Sequence, residues 1–154
     1  MFTDSDLDKL SNHDLYVFAI DCAEHALTVF EEGFPNDTRP RNGIDCARDM
    51  AAGKHDEKVR KHALVDADRA RHGAQSAANG ERAGSKFSRS TACSAMAVVN
   101  LLMAWPVSRA RCASAIDMAQ LAYQMRWDGW GVEAERTWQR DRFAEYLARE
   151  EAAV

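Results

Sequence analysis

Asp21 and His25 stand four residues apart in a segment whose apolar residues recur with a helical period, so both side chains share one helix face. A carboxylate in that position can hold an imidazole in one tautomer or stabilise its cation. Glu24 lies on the other side of the same polar arc. A proline-bracketed loop, Phe34 to Pro40, leads into a second segment carrying Arg39, Arg41, Asp45 and Arg48. Planar guanidinium groups take carboxylates in two-pronged fashion. Two readings follow. Either Arg39 or Arg41 folds back on Asp21 or Glu24 and pins the second helix to the first, or the arginines aim outward at an acidic partner or a phosphate.

Other chemistries fit these residues less well. Asp21, Glu24, His25 and Asp45 are suitable metal ligands by type. Helical metal sites, however, draw Glu-x-x-His or His-x-x-x-His pairs from more than one helix, and the chain has neither spacing. His62 and Asp66 form only an i, i+4 pair, and His55 and His72 stand among other charges. No Gly-x-Ser-x-Gly elbow, phosphate-cradling glycine loop or zinc-protease motif is present. Cys22 precedes His25 by three residues, but it falls in the middle of the apolar arc, the position of a core thiol. Cys46, Cys93 and Cys112 sit in similar apolar patterns without C-x-x-C spacing and read as reduced, buried residues. The expectation is therefore no catalytic residue, no metal and no cofactor.

The elements that position these side chains read as helices throughout. Ser11 is an N-cap candidate with Asp14 three residues on, and a first long helix runs from there to about Glu32, ended by Gly33. Its apolar arc, from Leu15 through Phe18, Cys22 and Leu27 to Phe30, is wide enough to be packed on two sides, which makes it central to a bundle. A second helix spans about Pro40 to Ala52, with Pro40 in its first turn and Gly53 just past its end. A third, Ala-striped, covers about Asp56 to Ala78, and Glu81 to Ser85 connects it to a fourth from Lys86 to Ala104. Pro106 forces a break at Trp105-Pro106. A fifth helix from about Val107 to Trp127, a turn over Asp128 to Gly131, and a last helix carrying Trp138, Phe143, Tyr146 and Leu147 complete the chain. No segment alternates with period two, and no repeat of solenoid length is present. The fold expected is an all-α, single-domain helical bundle of about five to six helices over residues 1–154, with its core in about 12–150. Trp127 and Trp130 flank the turn, where large aromatics either cap a bundle core or, beside Arg126 and Arg136, mark an interface.

Composition narrows the partners. The 154 residues carry a formal net charge of -4, which offers no concentrated basic patch for nucleic acid or an anionic membrane. The acidic start, Met1 to Asp6, has neither the basic flank nor the apolar core of a signal peptide, and no apolar run approaches a membrane span. A cytoplasmic protein is expected.

The run Ala19-Ile20-Asp21-Cys22-Ala23-Glu24-His25-Ala26-Leu27 through Phe30-Glu31-Glu32 resembles the first helix of the Imm-5-like immunity proteins of bacterial toxin systems. Pro35-Asn36-Asp37-Thr38-Arg39-Pro40-Arg41 and Ile44-Asp45-Cys46-Ala47-Arg48 resemble that family's most distinctive segment, and Glu135 to Phe143 resembles its C-terminal helix. The resemblance covers roughly Leu15 to Leu147, with a generic Ala-rich middle. Where the family often carries a Thr/His pair in a small-residue helix, this chain has Val98-Val99-Asn100-Leu101-Leu102, and no histidine role is carried over there. The resemblance implies an α-helical, cytosolic, noncatalytic protein that neutralises a cognate toxin by binding it. It also makes Asp21, Glu24, His25, Arg39, Arg41, Asp45 and Arg48 the candidates for a shared polar centre. The competing reading is a small helical ligand-binding domain or enzyme that uses an Asp21/His25/Arg39 pocket. A homodimer is compatible with either.

Overall fold

The computed structural model describes residues 2–80, 86–125 and 131–152. Among these are seven helices and no strand: α1 (Asp4–Leu7), α2 (Asn12–Gly33), α3 (Arg39–Ala51), α4 (Glu57–Gly80), α5 (Lys86–Met103), α6 (Arg109–Gln124) and α7 (Val132–Ala152). The all-α expectation holds, with one helix more than the upper count. The addition is α1, a single turn too short to show a periodic signal. It is held from outside by Arg109, whose guanidinium donates to the Leu7 and Leu10 carbonyls (2.6 and 3.2 Å) and to Asn12 Oδ1 (2.7 Å). The connector and turn expected at Glu81–Ser85 and Asp128–Trp130, and the side chains of Trp127 and Trp130, lie outside the described residues.

Ser11 caps α2, its Oγ accepting from the Asp14 N–H at 3.2 Å. Its own N–H donates to Glu150 near the end of α7, tying the two helices at one end of the bundle. The wide apolar arc of α2 has the consequence its width requires. Leu15, Phe18, Ile20, Cys22, Leu27 and Phe30 are fully buried, and α2 packs against α3, α5, α6 and α7. The buried apolar residues of all these helices form one core cluster. Small residues set the closest approaches: Ala67, Ala70 and Ala74 of α4 are buried, and α4 packs against α3 and α5. A Cβ on Gly43 of α3 would lie 2.6 Å from Val98 Cγ1 of α5. Gly53, at φ +79°, takes the left-handed conformation that ends α3. The break at Trp105-Pro106, a cis peptide, separates α5 from α6. Among the described residues no helix is long and apolar enough to cross a membrane.

Candidate functional site

The polar arc of α2 meets two helices, and each meeting is built from charge. On the α3 side, Arg41 makes a two-pronged contact with Glu31, Nε to Oε1 and Nη2 to Oε2 both at 2.9 Å, and its Nη1 donates to Glu24 Oε1 at 2.8 Å. Two turns of α3 further, Arg48 Nη2 donates to Glu24 Oε2 and to Asp21 Oδ1, the latter at 3.3 Å. The reading in which an arginine pins the second helix to the first describes this contact, with Arg41 as the pin to Glu24.

On the α7 side, Asp21 is the node. Only 7 % exposed, its Oδ2 accepts from Arg142 Nε and Tyr146 Oη, each at 2.8 Å. Three donors on two helices therefore converge on one buried carboxyl group, so both of its oxygens are satisfied. The bond that Arg142 donates to Asp21 holds its guanidinium well above its ordinary value. Burial, reinforced by the bond to Asp21, pushes the Tyr146 phenol up to about 12. Arg142 also reaches Glu145 on its own helix.

His25 belongs to a separate line of contacts. Its Nδ1 lies 2.6 Å from Oε2 of Glu135, whose side chain is 1 % exposed. This one hydrogen bond fixes the orientation of the ring. Behind it, Gln139 Nε2 donates to Glu135 Oε1 (2.7 Å), and Gln120 Nε2 donates to Gln139 Oε1 (2.6 Å), so a buried polar chain runs from α2 through α7 to α6. The imidazole stacks on Trp138 at 4.0 Å and 14°, with Tyr123 on α6 at 5.8 Å, and Tyr123 Oη donates to the His25 carbonyl at 3.2 Å. Gly131 makes room for that tyrosine, since a Cβ there would fall 2.5 Å from its ring.

Between α2 and α7 these groups open onto a cleft of about 350 Å³, walled by Asp21, Glu24 and His25 on one side and Trp138, Asp141, Arg142 and Glu145 on the other. Five of the seven candidate residues thus come together: Asp21, Glu24, His25, Arg41 and Arg48. Two do not. Arg39 turns back onto Asp37 in the loop, Nε to Oδ1 at 2.8 Å and Nη2 to Oδ2 at 2.6 Å, so no Asp21/His25/Arg39 pocket is assembled. Asp45 is exposed on α3 and takes part in none of the bonds described above. Cys22 is fully buried, and desolvation raises its thiol well above the usual range, as befits a core residue. Among the described residues no three His, Cys, Asp or Glu side chains are grouped to hold a metal.

Sequence reasoning missed the α7 half of the centre. Glu135, Gln139, Arg142 and Tyr146 follow one another at spacings of four, three and four, a single helix face, but polar residues on such a face read as solvated. The one sequence signal is that the line of Glu135 and Gln139 continues at helical spacing into Phe143 and Tyr146, and the structure buries all four.

An all-α bundle whose central helix carries ion-paired and hydrogen-bonded contacts to two neighbours is the architecture of the molecule. The chain belongs to the family described as Imm-5 like putative immunity protein, whose model matches residues 5–146. No curated protein and no solved structure matches it. The matched span takes in every residue of the polar centre on α2, α3 and α7.

Proposed function

We propose that this chain is an immunity protein that binds a cognate bacterial toxin in the cytoplasm, one to one, and neutralises it by covering its surface, without catalysis. Membership of the family over residues 5–146 carries the reading. The polar centre supports it. Asp21, Glu24, Glu31, Arg41, Arg48 and Arg142 are committed to one another, so their positions are fixed before any partner arrives. Fixed charges suit recognition, because little ordering cost remains to be met on binding. They suit proton transfer less, since each carboxylate is already held by guanidinium donors. In the test, the tagged protein is purified from its native host, the co-purifying proteins are identified by mass spectrometry, and the partner is then produced with and without this chain. The expected result is a stoichiometric partner whose toxicity the chain relieves. Recovery without a protein partner would overturn the reading.

One observation favours the alternative of a ligand-binding domain or enzyme. His25 is oriented by a buried carboxylate and walls an open cleft, an arrangement that can present an imidazole as a base. A small molecule surviving purification, and lost from the Glu135→Gln variant, would move the assignment there.

A further inference from the structure

Each arginine of the polar centre is shared by two carboxylates. Arg41 serves Glu24 and Glu31, Arg48 serves Asp21 and Glu24, and Arg142 serves Asp21 and Glu145. Four carboxylates thus divide three guanidinium groups, and a fifth, Asp141, stands exposed beside Arg142 on α7. Four of these five, all but Glu31, wall the cleft between α2 and α7. The low-dielectric walls of a cleft concentrate the field of such a surplus. The site is also aromatic: the half-buried Trp138 walls the same space, held in place by the His25 ring stacked at 4.0 Å, which Glu135 in turn fixes. A cleft with more carboxylates than guanidinium groups, lined by an indole, calls for a cationic group with a flat face.

From this geometry we infer that the cleft is a docking socket for an arginine side chain of the protein partner, with the guanidinium along Trp138 and paired to Asp141 and Glu145. Arginine fits better than lysine. Its planar, weakly hydrated head stacks on an aromatic ring and takes carboxylates in pairs, whereas an ammonium keeps its water. A volume of about 350 Å³ admits one long side chain and not a helix. Asp21 and Glu24 are each held by two internal arginines and act as walls, whereas Glu145 is held by Arg142 alone and Asp141 stands exposed. Recognition falls to Asp141 and Glu145, whose side chains are exposed, with Glu145 55 % so. That the partner is a toxin rests on the immunity reading; the chemistry of the socket does not.

The probe is an end-blocked Gly-Arg-Gly peptide, with the citrulline peptide as its neutral isostere, titrated at low salt into the full ¹⁵N-labelled chain. The Trp138 indole N–H, assigned with Trp138→Phe, is expected to shift saturably with the arginine peptide and not with the citrulline one. In the Asp141→Asn/Glu145→Gln double variant the affinity should fall by about tenfold. No shift in the wild type, an equal shift with citrulline, or unchanged affinity in the double variant overturns the socket. Rescue separates the two claims. Wild-type protection with full protection by a folded Asp141→Lys/Glu145→Lys variant removes the socket and leaves immunity standing. Peptide binding without any protection by the wild type does the reverse.

Discussion

Replacing Asp21 with alanine removes the acceptor that donors from α3 and α7 share. Tyr146 Oη is left inside the core, in a residue only 1 % exposed, without its 2.8 Å bond. A buried hydroxyl stripped of its partner costs about 1–3 kcal/mol. The Arg142 and Arg48 side chains are 31 % and 45 % exposed, so water screens them and they can turn outward. Their share is therefore that of surface pairs, roughly 0.2–1 kcal/mol each. The sum is about 1.5–5 kcal/mol, which for a chain of this size lowers Tm by roughly 3–20 °C. Asp21→Asn keeps the shape and one carbonyl acceptor and should cost about half as much. Tyr146→Phe alone removes one donor and should cost about 1 kcal/mol. Because both changes act on the same bond, their combination should fall short of additivity by about 1 kcal/mol. Urea unfolding followed by far-ultraviolet circular dichroism measures all four corners of the cycle. An Asp21→Ala protein as stable as the wild type, or an additive double variant, would refute the view that this carboxylate fastens α7 to α2.

Gly43→Ala should destabilise by up to about 2 kcal/mol, because the overpacking of the new Cβ, 2.6 Å from Val98 Cγ1, outweighs the gain of about 1 kcal/mol in helix propensity; an unchanged urea midpoint would refute the close α3–α5 crossing. Tyr16 Oη is buried with no hydrogen-bond partner among the described residues, and burial raises its phenol. Tyr16→Phe should therefore stabilise by about 1 kcal/mol while keeping the ring contact with Trp105, and a loss of stability would show that the hydroxyl is in fact satisfied. Bonds from Arg39 hold the Asp37 carboxyl below its usual 3.8. Its folded value is thus the lower one, so its contribution is present above pH 3.8 and is lost as pH falls through the folded value. Tm measured from pH 5 down to pH 2 should fall less steeply in Asp37→Asn than in the wild type.

How far the sequence reached can be followed residue by residue. The helical boundaries were legible because punctuation and periodicity agree: Ser11, Gly33, Pro40, Gly53 and Pro106 each stand within two residues of an observed helix end or break. The central place of α2 was legible from the width of its apolar arc alone. The α2–α3 half of the polar centre was legible too, since Glu24 and Arg41 lie on segments joined by a short loop. Arg39 was misplaced for a local reason. An aspartate two residues upstream, in the loop itself, offers a nearer two-pronged partner than anything on α2. The α7 half was hidden by sequence distance. Asp21 and Tyr146 are 125 positions apart, and nothing in either segment says that they meet. Glu135 was hidden by its type, because a buried glutamate is exceptional unless a partner such as His25 is supplied from elsewhere.

The sharing of each arginine between two carboxylates bears on how a partner would be met. A network with matched charges would be stable and electrostatically quiet. One short of cations is stable only while partly open to water, and the side chains of Glu24, Glu31 and Glu145 are indeed 33–55 % exposed. Such a surface attracts a cationic partner before contact and fixes its orientation at contact. The first effect appears in the association rate and falls with salt, and the second appears in the dissociation rate and does not. Asp141 and Glu145, exposed at the rim, serve both effects, whereas Asp21, buried at the node and held by Arg48 and Arg142, serves neither directly. Neutralising the rim pair should slow association and flatten its salt dependence, whereas changes at Asp21 should act through the stability of the α2–α7 contact and leave that dependence intact. The distinction ties the two halves of the centre to separate physical roles, one in holding the helices together and one in what the cleft admits.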